Sequence, residues 1–563
     1  MKRLHFAQVN HERQNTLLPF LSVFLLIALR YLYFGFRYFP QLDDYIQYHN
    51  YAASGSVPYL IKALGLFAAR PLAGLFDITL WSWLWGCMIL SVLLLSAAYA
   101  ASAVLFRNLF EKHFGTSGLF VVFYALMPLG IEGTYWVSAS SRIIPGLLFA
   151  ALAATCFSRY LESGRRGQLA GALVLQFLTF CFYEQTAVLS CALHVLLALL
   201  VVRERRERSA AALLCILVAG AYFGVTALAG PSPLYDGRTD VILPTSAYYF
   251  DTFLPELVGQ MKSAFFGGGW YILSHGLIRG ILRILSDGAW LWCLLLLLCT
   301  VFFALTQFGG KQERGKLLAP ILGGILLAAA PLAPFFIVSN PWFSLRGTVP
   351  SFVGIALAAD ALFRALCRGR QKTLAVVGSL FAVLFCVTAV SEVADYKANY
   401  EADSRVVSAV AELVKENPGT GRIAVLNVSA SYVPEMNCRY HEHIVGVTES
   451  TWALTGAVRC YNEDTEDWNT YVPIPLDEAY AYLRWEYSEK RFRRWMPSMP
   501  MTPIRIRSRV FAWTMRGTAC SFCIGRTANC TGGSRRSTKT AFFPKNNRKN
   551  YCAAPKCMVY CIH

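Results

Sequence analysis

Runs of roughly twenty apolar residues recur through the first two thirds of the chain, set apart by short polar loops. A helix rises about 1.5 Å per residue, so about 20 residues cross about 30 Å of hydrocarbon, and only a helix satisfies its own backbone there. The pattern predicts about eleven membrane helices, near residues 17–37, 78–106, 117–131, 142–161, 168–183, 185–202, 209–229, 289–308, 317–338, 347–363 and 373–391. The first does not read as a cleavable signal peptide: its apolar run is too long and no small-residue cleavage site precedes Asp43. The Gly230–Gly288 interval breaks the pattern, with Pro231, Pro233, Pro244 and Pro255 ahead of the apolar Phe265-Phe266-Gly267-Gly268-Gly269-Trp270. It reads as a re-entrant or interfacial segment.

Composition agrees with a membrane solvent. Of the 563 residues 55% are hydrophobic and only 15% charged, and the mean hydropathy is +0.42, which excludes an ordinary soluble protein. Basic clusters occupy every second short loop: Arg107/Lys112, Arg159/Arg165/Arg166, Arg203/Arg205/Arg206/Arg208, Lys311/Arg314/Lys316 and Arg364/Arg368/Arg370/Lys372, together with the Lys2/Arg3/Arg13 terminus. The positive-inside rule makes these loops and the N-terminus cytoplasmic. Outside then lie 39–77, the Glu132–Arg142 turn, the Glu184 apex, 230–288, Asn340–Arg346 and everything after about Ser391.

The formal net charge of +18 is a property of the tail. From Lys490 to His563 there are 16 Lys/Arg and no Asp or Glu, which leaves 36 bases against 34 acids elsewhere, so the charge does not point to nucleic acid. From about Thr518 the tail has no helical or strand periodicity and holds six of the 17 cysteines. Residues 490–563 read as a disordered tail or the product of a reading-frame shift. A zinc module built on Cys520-x-x-Cys523 with Cys557, Cys561 or His563 is the alternative, but the second half lacks the usual spacing.

Residues 392–489 read as a small external α/β cap, with helical spacing over Ser404–Glu416 and a buried strand at Arg422–Val428. Within it His441 and His443 share a strand face, as a metal pair or as solvated residues, and Cys438 and Cys460 are a candidate disulfide. The chain is thus expected to be an α-helical polytopic membrane protein over 1–391, with external loops at 39–77 and 230–288.

The candidate chemistry opens the first external loop. It reads Pro40-Gln-Leu-Asp43-Asp44-Tyr-Ile-Gln-Tyr-His49, followed by Lys62 and Ala69-Arg70-Pro71. One helix followed by a large external loop that opens on an acidic pair resembles the start of the GT-C membrane glycosyltransferases. The many-helix layout, a later external arginine before a membrane helix (Pro341-Trp-Phe-Ser-Leu-Arg346) and an external cap extend the resemblance over residues 1 to about 480 in architecture, though over few positions in motif.

The resemblance implies an inverting hexosyltransferase of the cell membrane. It would move sugar from a polyprenyl-phosphate donor to a cell-envelope glycan, lipid or protein at the outer face. Asp43 would be the catalytic base, taking the proton of the attacking hydroxyl. A planar, permanently charged guanidinium suits the departing phosphate, which makes Arg346 the first candidate and Arg70, Lys62 and Arg142 the next; His49 is a further substrate-binding candidate. Asp44 has three open roles: ligand to a divalent cation, orienter of the acceptor, or cap of a helix starting at Tyr45.

Each residue also has an ordinary reading. Acids in an outer loop are commonly solvated, and interface arginines commonly mark the membrane boundary. Glu184 in Phe182-Tyr-Glu-Gln185 is a site residue or a solvated turn acid, and Trp136-Val-Ser-Ala-Ser-Ser-Arg142 lines a sugar pocket or belongs to an aromatic belt. A transporter or flippase of lipid-linked glycans shares the helix count. It would favour internal repeats and midplane charges, and neither is evident here. No Walker, dinucleotide or nucleotide-sugar signature is present, and a divalent cation is the one cofactor left open.

Overall fold

The computed structural model describes residues 2–50, 70–228, 241–308, 317–338, 343–416, 422–428, 446–463, 470–475, 501–506, 510–515, 518–523 and 558–562. These fall into two compact units, one ahead of Asn399 and one from Asn399 onward. Lys62, Cys438, His441 and His443 lie outside the described residues.

The first unit is a helical membrane protein. Among the described residues eight helices are long and apolar enough to cross a bilayer: Trp85–Phe114, Val137–Ser163, Glu184–Val202, Arg205–Gly224, Trp290–Gln307, Leu318–Phe336, Leu345–Leu366 and Gln371–Lys415. The other three predicted places hold shorter apolar helices, Thr16–Tyr31, Gly118–Thr134 and the 15-residue Arg166–Phe180. Large apolar side chains stand exposed along these rods, for example Leu217 at 67% and Leu291 at 70%. In water such a surface would be untenable; in hydrocarbon it is the expected exterior.

One predicted span is not a single rod. Over 117–131 the chain forms a helical turn at Gly118–Val121, a wider turn at Val122–Leu126, a tight one at Pro128–Gly130 and a last at Ile131–Thr134. Met127, with ψ at 124°, breaks the helix because the ring of Pro128 disfavours helical geometry in the residue before it. The carbonyl of Leu126, freed by the break, accepts a hydrogen bond from Nη1 of the buried Arg30 (3.1 Å), and Tyr31 meets Thr134 hydroxyl to hydroxyl at 2.6 Å. The break turns the chain so that 135–142 enter the Val137–Ser163 helix at the site described below.

The 230–288 interval is helical from Tyr249 to Ser286. One side packs Tyr249, Phe253, Leu257 and Ile272 against Phe343 and Leu345, while Phe266 and Trp270 on the other are 78% and 72% exposed. Nearby, Leu318–Ala329 and Phe352–Leu366 cross at Gly324 and Gly354. A Cβ on Gly354 would stand 2.2 Å from the Gly324 carbonyl oxygen, so the two backbones touch.

The second unit starts within the helix Gln371–Glu416 and continues into a sheet. Its strands are β1 (Arg422–Val428), β2 (Thr470–Pro475), β3 (Met501–Ile506), β4 (Val510–Met515), β5 (Thr518–Cys523) and β6 (Met558–Ile562), in the order β2-β1-β6-β5-β4-β3. Only β1 and β2 are parallel, joined through the helix Thr451–Asn462 as a parallel pair requires. The 490–563 stretch, read as a disordered tail or a frame-shift product, contributes β3 to β6, with β5 and β6 lying in the part from Thr518 that shows no periodicity. Asp403 accepts the Val447 amide at 2.9 Å, and Thr455 accepts that of Tyr471 at 3.0 Å.

Candidate functional site

The site grows from the first turn of the Val137–Ser163 helix. Four amides at a helix start have no partner within it, and here two are capped by side chains of Tyr38 and of the opening of the 39–77 loop. The Tyr38 hydroxyl accepts from the Val137 amide at 2.9 Å, and Asp44 Oδ1 accepts from the Ser138 amide at 3.1 Å and the Ser138 hydroxyl at 2.6 Å. Asp44 Oδ2 accepts from the Tyr38 hydroxyl at 2.6 Å and the Gln41 amide at 3.0 Å.

Asp44 is fully buried, and its four donors fill the roughly four lone-pair sites of a carboxylate. It therefore does not fit the role of cation ligand. Of its open roles the structure realises capping, on the Val137–Ser163 helix rather than one starting at Tyr45. Burial pushes its carboxyl up to about 6, against the pull of the hydrogen bonds from Ser138, Tyr38 and Gln41.

Asp77 is a second buried acid, placed by the short helix Pro71–Phe76 and the turn Asp77–Trp81. Its Oδ2 takes Arg142 Nη2 at 2.5 Å, while Oδ1 has no hydrogen-bond partner among the described residues. Arg142 also donates from Nη1 to the Ser138 carbonyl (2.5 Å) and the Ser141 hydroxyl (3.0 Å), and Tyr48 meets Ser141 at 3.2 Å. Burial raises Asp77 to about 6 despite the Arg142 charge.

Asp43 stands within charge range of both acids and raises each. Unlike them it is only half-buried, and among the described residues it makes no hydrogen bond or ion pair. The preceding Leu42 sits at φ +37°, in the left-handed region that side chains with a Cβ rarely adopt, and is itself buried. That backbone twist sends Asp43 and Asp44 to different surroundings, one open and one closed.

Two arginine groups flank this centre. Arg70 forks onto Glu184, from Nε to Oε1 (2.9 Å) and Nη2 to Oε2 (2.9 Å), and lies over the Tyr183 ring at 4.9 Å. Glu184 opens its helix, where a negative charge suits the dipole. It is thus neither a bare turn acid nor at mid-membrane. Arg346 stacks over Trp136 at 5.5 Å and reaches the fully buried Glu132 only at 4.0 Å. His49 is half-buried, its ring 5.8 Å from Trp85.

The predicted residues divide accordingly. Asp43, Asp44 and Arg142 come together, with Arg70 and Glu184 beside them through Asp77. Arg346 stands across Trp136, and His49 sits against Trp85. Sequence reading missed Tyr38, Asp77 and Glu132, and held Ser138 only as part of a candidate pocket lining. Asp77 and Glu132 bounded predicted loops, and an acid beside a membrane segment was the available signal.

Fold and spans define an α-helical multi-pass membrane protein. No family model matches the sequence, and no curated protein matches it. Among solved structures the chain is similar to ArnT from Cupriavidus metallidurans in the apo state. The identity is 12% and the TM-score 0.39, over 86% of this chain and 95% of that one.

Proposed function

We propose that the chain is an integral-membrane glycosyltransferase, inverting at the anomeric carbon. It moves a sugar from a polyprenyl-phosphate carrier to a cell-envelope glycan, lipid or protein acceptor at the outer face. The observation that carries this reading is the contrast within the acidic pair: Asp44 is saturated by four donors, two of them on Ser138 of the helix it caps, while Asp43 keeps an uncommitted carboxylate at the same site.

In the step proposed, an acceptor hydroxyl attacks the anomeric carbon and its proton passes to Asp43 as the new C–O bond forms. The bond from that carbon to the phosphate oxygen breaks, and polyprenyl phosphate leaves with the electron pair. An anion of that kind needs cationic stabilisation rather than a strong acid. Arg346 is assigned that role, a planar cation stacked over Trp136 beside the site, while Arg142 and Arg70 pair with Asp77 and Glu184. Asp44, Arg142 and Asp77 then act as positioning residues.

Reconstitution with a radiolabelled polyprenyl-phosphate sugar and cell-envelope acceptors tests this. Asp43→Asn is expected to lower transfer by about 10²- to 10⁴-fold with donor binding kept. Arg346→Gln should weaken donor binding. Undiminished transfer by Asp43→Asn removes that residue as base, and lipid movement without glycosidic bond formation would favour a flippase.

A further inference from the structure

The Val137–Ser163 helix starts at the acidic site and, at about 1.5 Å per residue, ends about 40 Å away at the opposite end of the bundle. Arginines are abundant at that end, and several are committed to protein. Arg205 donates to the Leu161 carbonyl at 2.6 Å, and Arg208 to the carbonyls of Leu161 (3.2 Å) and Glu162 (2.8 Å). Lys112 pairs with Glu162, Arg107 with Glu111 and Gln307, and Arg364 with Asp360.

Arg159 and Arg165 differ. Both are exposed, neither guanidinium meets an acceptor among the described residues, and together with Ser163, Gln168 and Glu162 they line an open cleft of about 330 Å³. Because Lys112 neutralises Glu162, the cleft keeps two uncompensated positive charges. Two unpaired forks facing one polar hollow match the oxygens of a phosphodiester.

What adjoins the cleft separates a lipid from a free ion. The helix Arg166–Phe180 leaves the cleft with Val174 60% and Phe177 48% exposed, and Leu213 and Leu217 on the helix Ala211–Leu228 are 64% and 67% exposed. A charged hollow at the end of a helix whose further turns present apolar side chains is the profile of a headgroup joined to acyl chains. We propose that this cleft binds the phosphodiester headgroup of an anionic glycerophospholipid, in the leaflet opposite the acidic site. The proposal does not depend on the transferase reading.

Native mass spectrometry of the full chain in neutral detergent tests it, with titration by phosphatidylglycerol, phosphatidylcholine and inorganic phosphate in turn. Phosphatidylglycerol is expected to bind several-fold more tightly than phosphatidylcholine. The Arg159→Gln/Arg165→Gln double variant should lose on the order of twenty-fold in that affinity, at about five-fold per arginine. Gln168→Glu, which adds a like charge to the lipid, should weaken binding in the same direction and serves if the double variant does not fold. Arg370→Gln, an exposed arginine elsewhere, should leave binding unchanged. The proposal fails if phosphatidylglycerol is not preferred, if the cleft variants bind as wild type does, if Arg370→Gln costs as much as they do, or if inorganic phosphate binds as tightly as the lipid.

Discussion

The two ends of the Val137–Ser163 helix solve one problem in different media. Both leave backbone groups unpaired, and at both the partners come from distant parts of the chain. At the start the caps are Tyr38 and a fully buried Asp44. At the end they are Arg205 and Arg208, part-exposed, with Gly164 closing the helix at φ +68°. The signs follow the helix dipole, acid at the first turn and base at the last. The energies do not match: an exposed cap contributes little beyond its hydrogen bond, whereas the buried Asp44 carboxylate depends on the four donors that match its lone pairs. Asp44 is therefore bound to its donors, and Asp43 beside it is not.

The sharpest way to break the comparison is to unpair the buried end. Asp77→Asn and Arg142→Gln each strand the remaining partner and are expected to cost about 3–5 kcal/mol of stability, while the double variant should cost less than the two summed. Unfolding midpoints in detergent, combined as a double-mutant cycle, check this. Simple additivity would mean the pair is no tighter than a surface bridge. Asp44→Ala comes next. It leaves four donors without an acceptor, including one helix amide, with an expected loss of about 2–4 kcal/mol.

Acidity gives a smaller and signed effect. Asp44 and Asp77 both titrate near 6 in the folded chain against an ordinary value of 3.8. Between these values the folded state holds more protons than the unfolded one. Their contribution to stability is thus fully present below about 3.8 and lost as pH rises through about 6. Unfolding midpoints from pH 4 to 7 should fall more steeply for wild type than for Asp77→Asn, and parallel curves would show that Asp77 does not carry this proton.

The exposed end should give least. Gly164→Ala meets the left-handed backbone and the Arg208 guanidinium 2.8 Å from its new methyl group, with an expected cost of about 1 kcal/mol. A thermal shift as large as that of Asp44→Ala would erase the contrast between the two ends.

Much of this was legible in the sequence, and unevenly. Apolar runs mark helices because the hydrocarbon imposes one requirement along a whole segment, and helical segments stand at the predicted places, eight of them, among the described residues, long and apolar enough to cross a bilayer. The break at Met127 was not foreseen, although Pro128 announced it, because the hydropathy of 117–131 is continuous across it. Asp43 and Asp44 stood out as adjacent acids. Their division of labour did not, since it depends on the φ of Leu42 and on Ser138, 94 residues further along. Asp77 was invisible as a partner of Arg142 because a fit between side chains far apart in sequence leaves no local pattern. The strands of the tail likewise draw on pairing between chain segments, β6 with β1 above all, rather than on alternation within each.

The crossing at Gly324 and Gly354 bears on how this protein can vary. Arg346 stands on a turn that runs straight into the helix containing Gly354, and there the backbone of the neighbouring helix occupies the space of any side chain. In a saturation library the two positions should behave as one, accepting glycine and little else. The depth of the Arg346 fork would then be inherited as a unit with that crossing, free to change its chemistry but not its height.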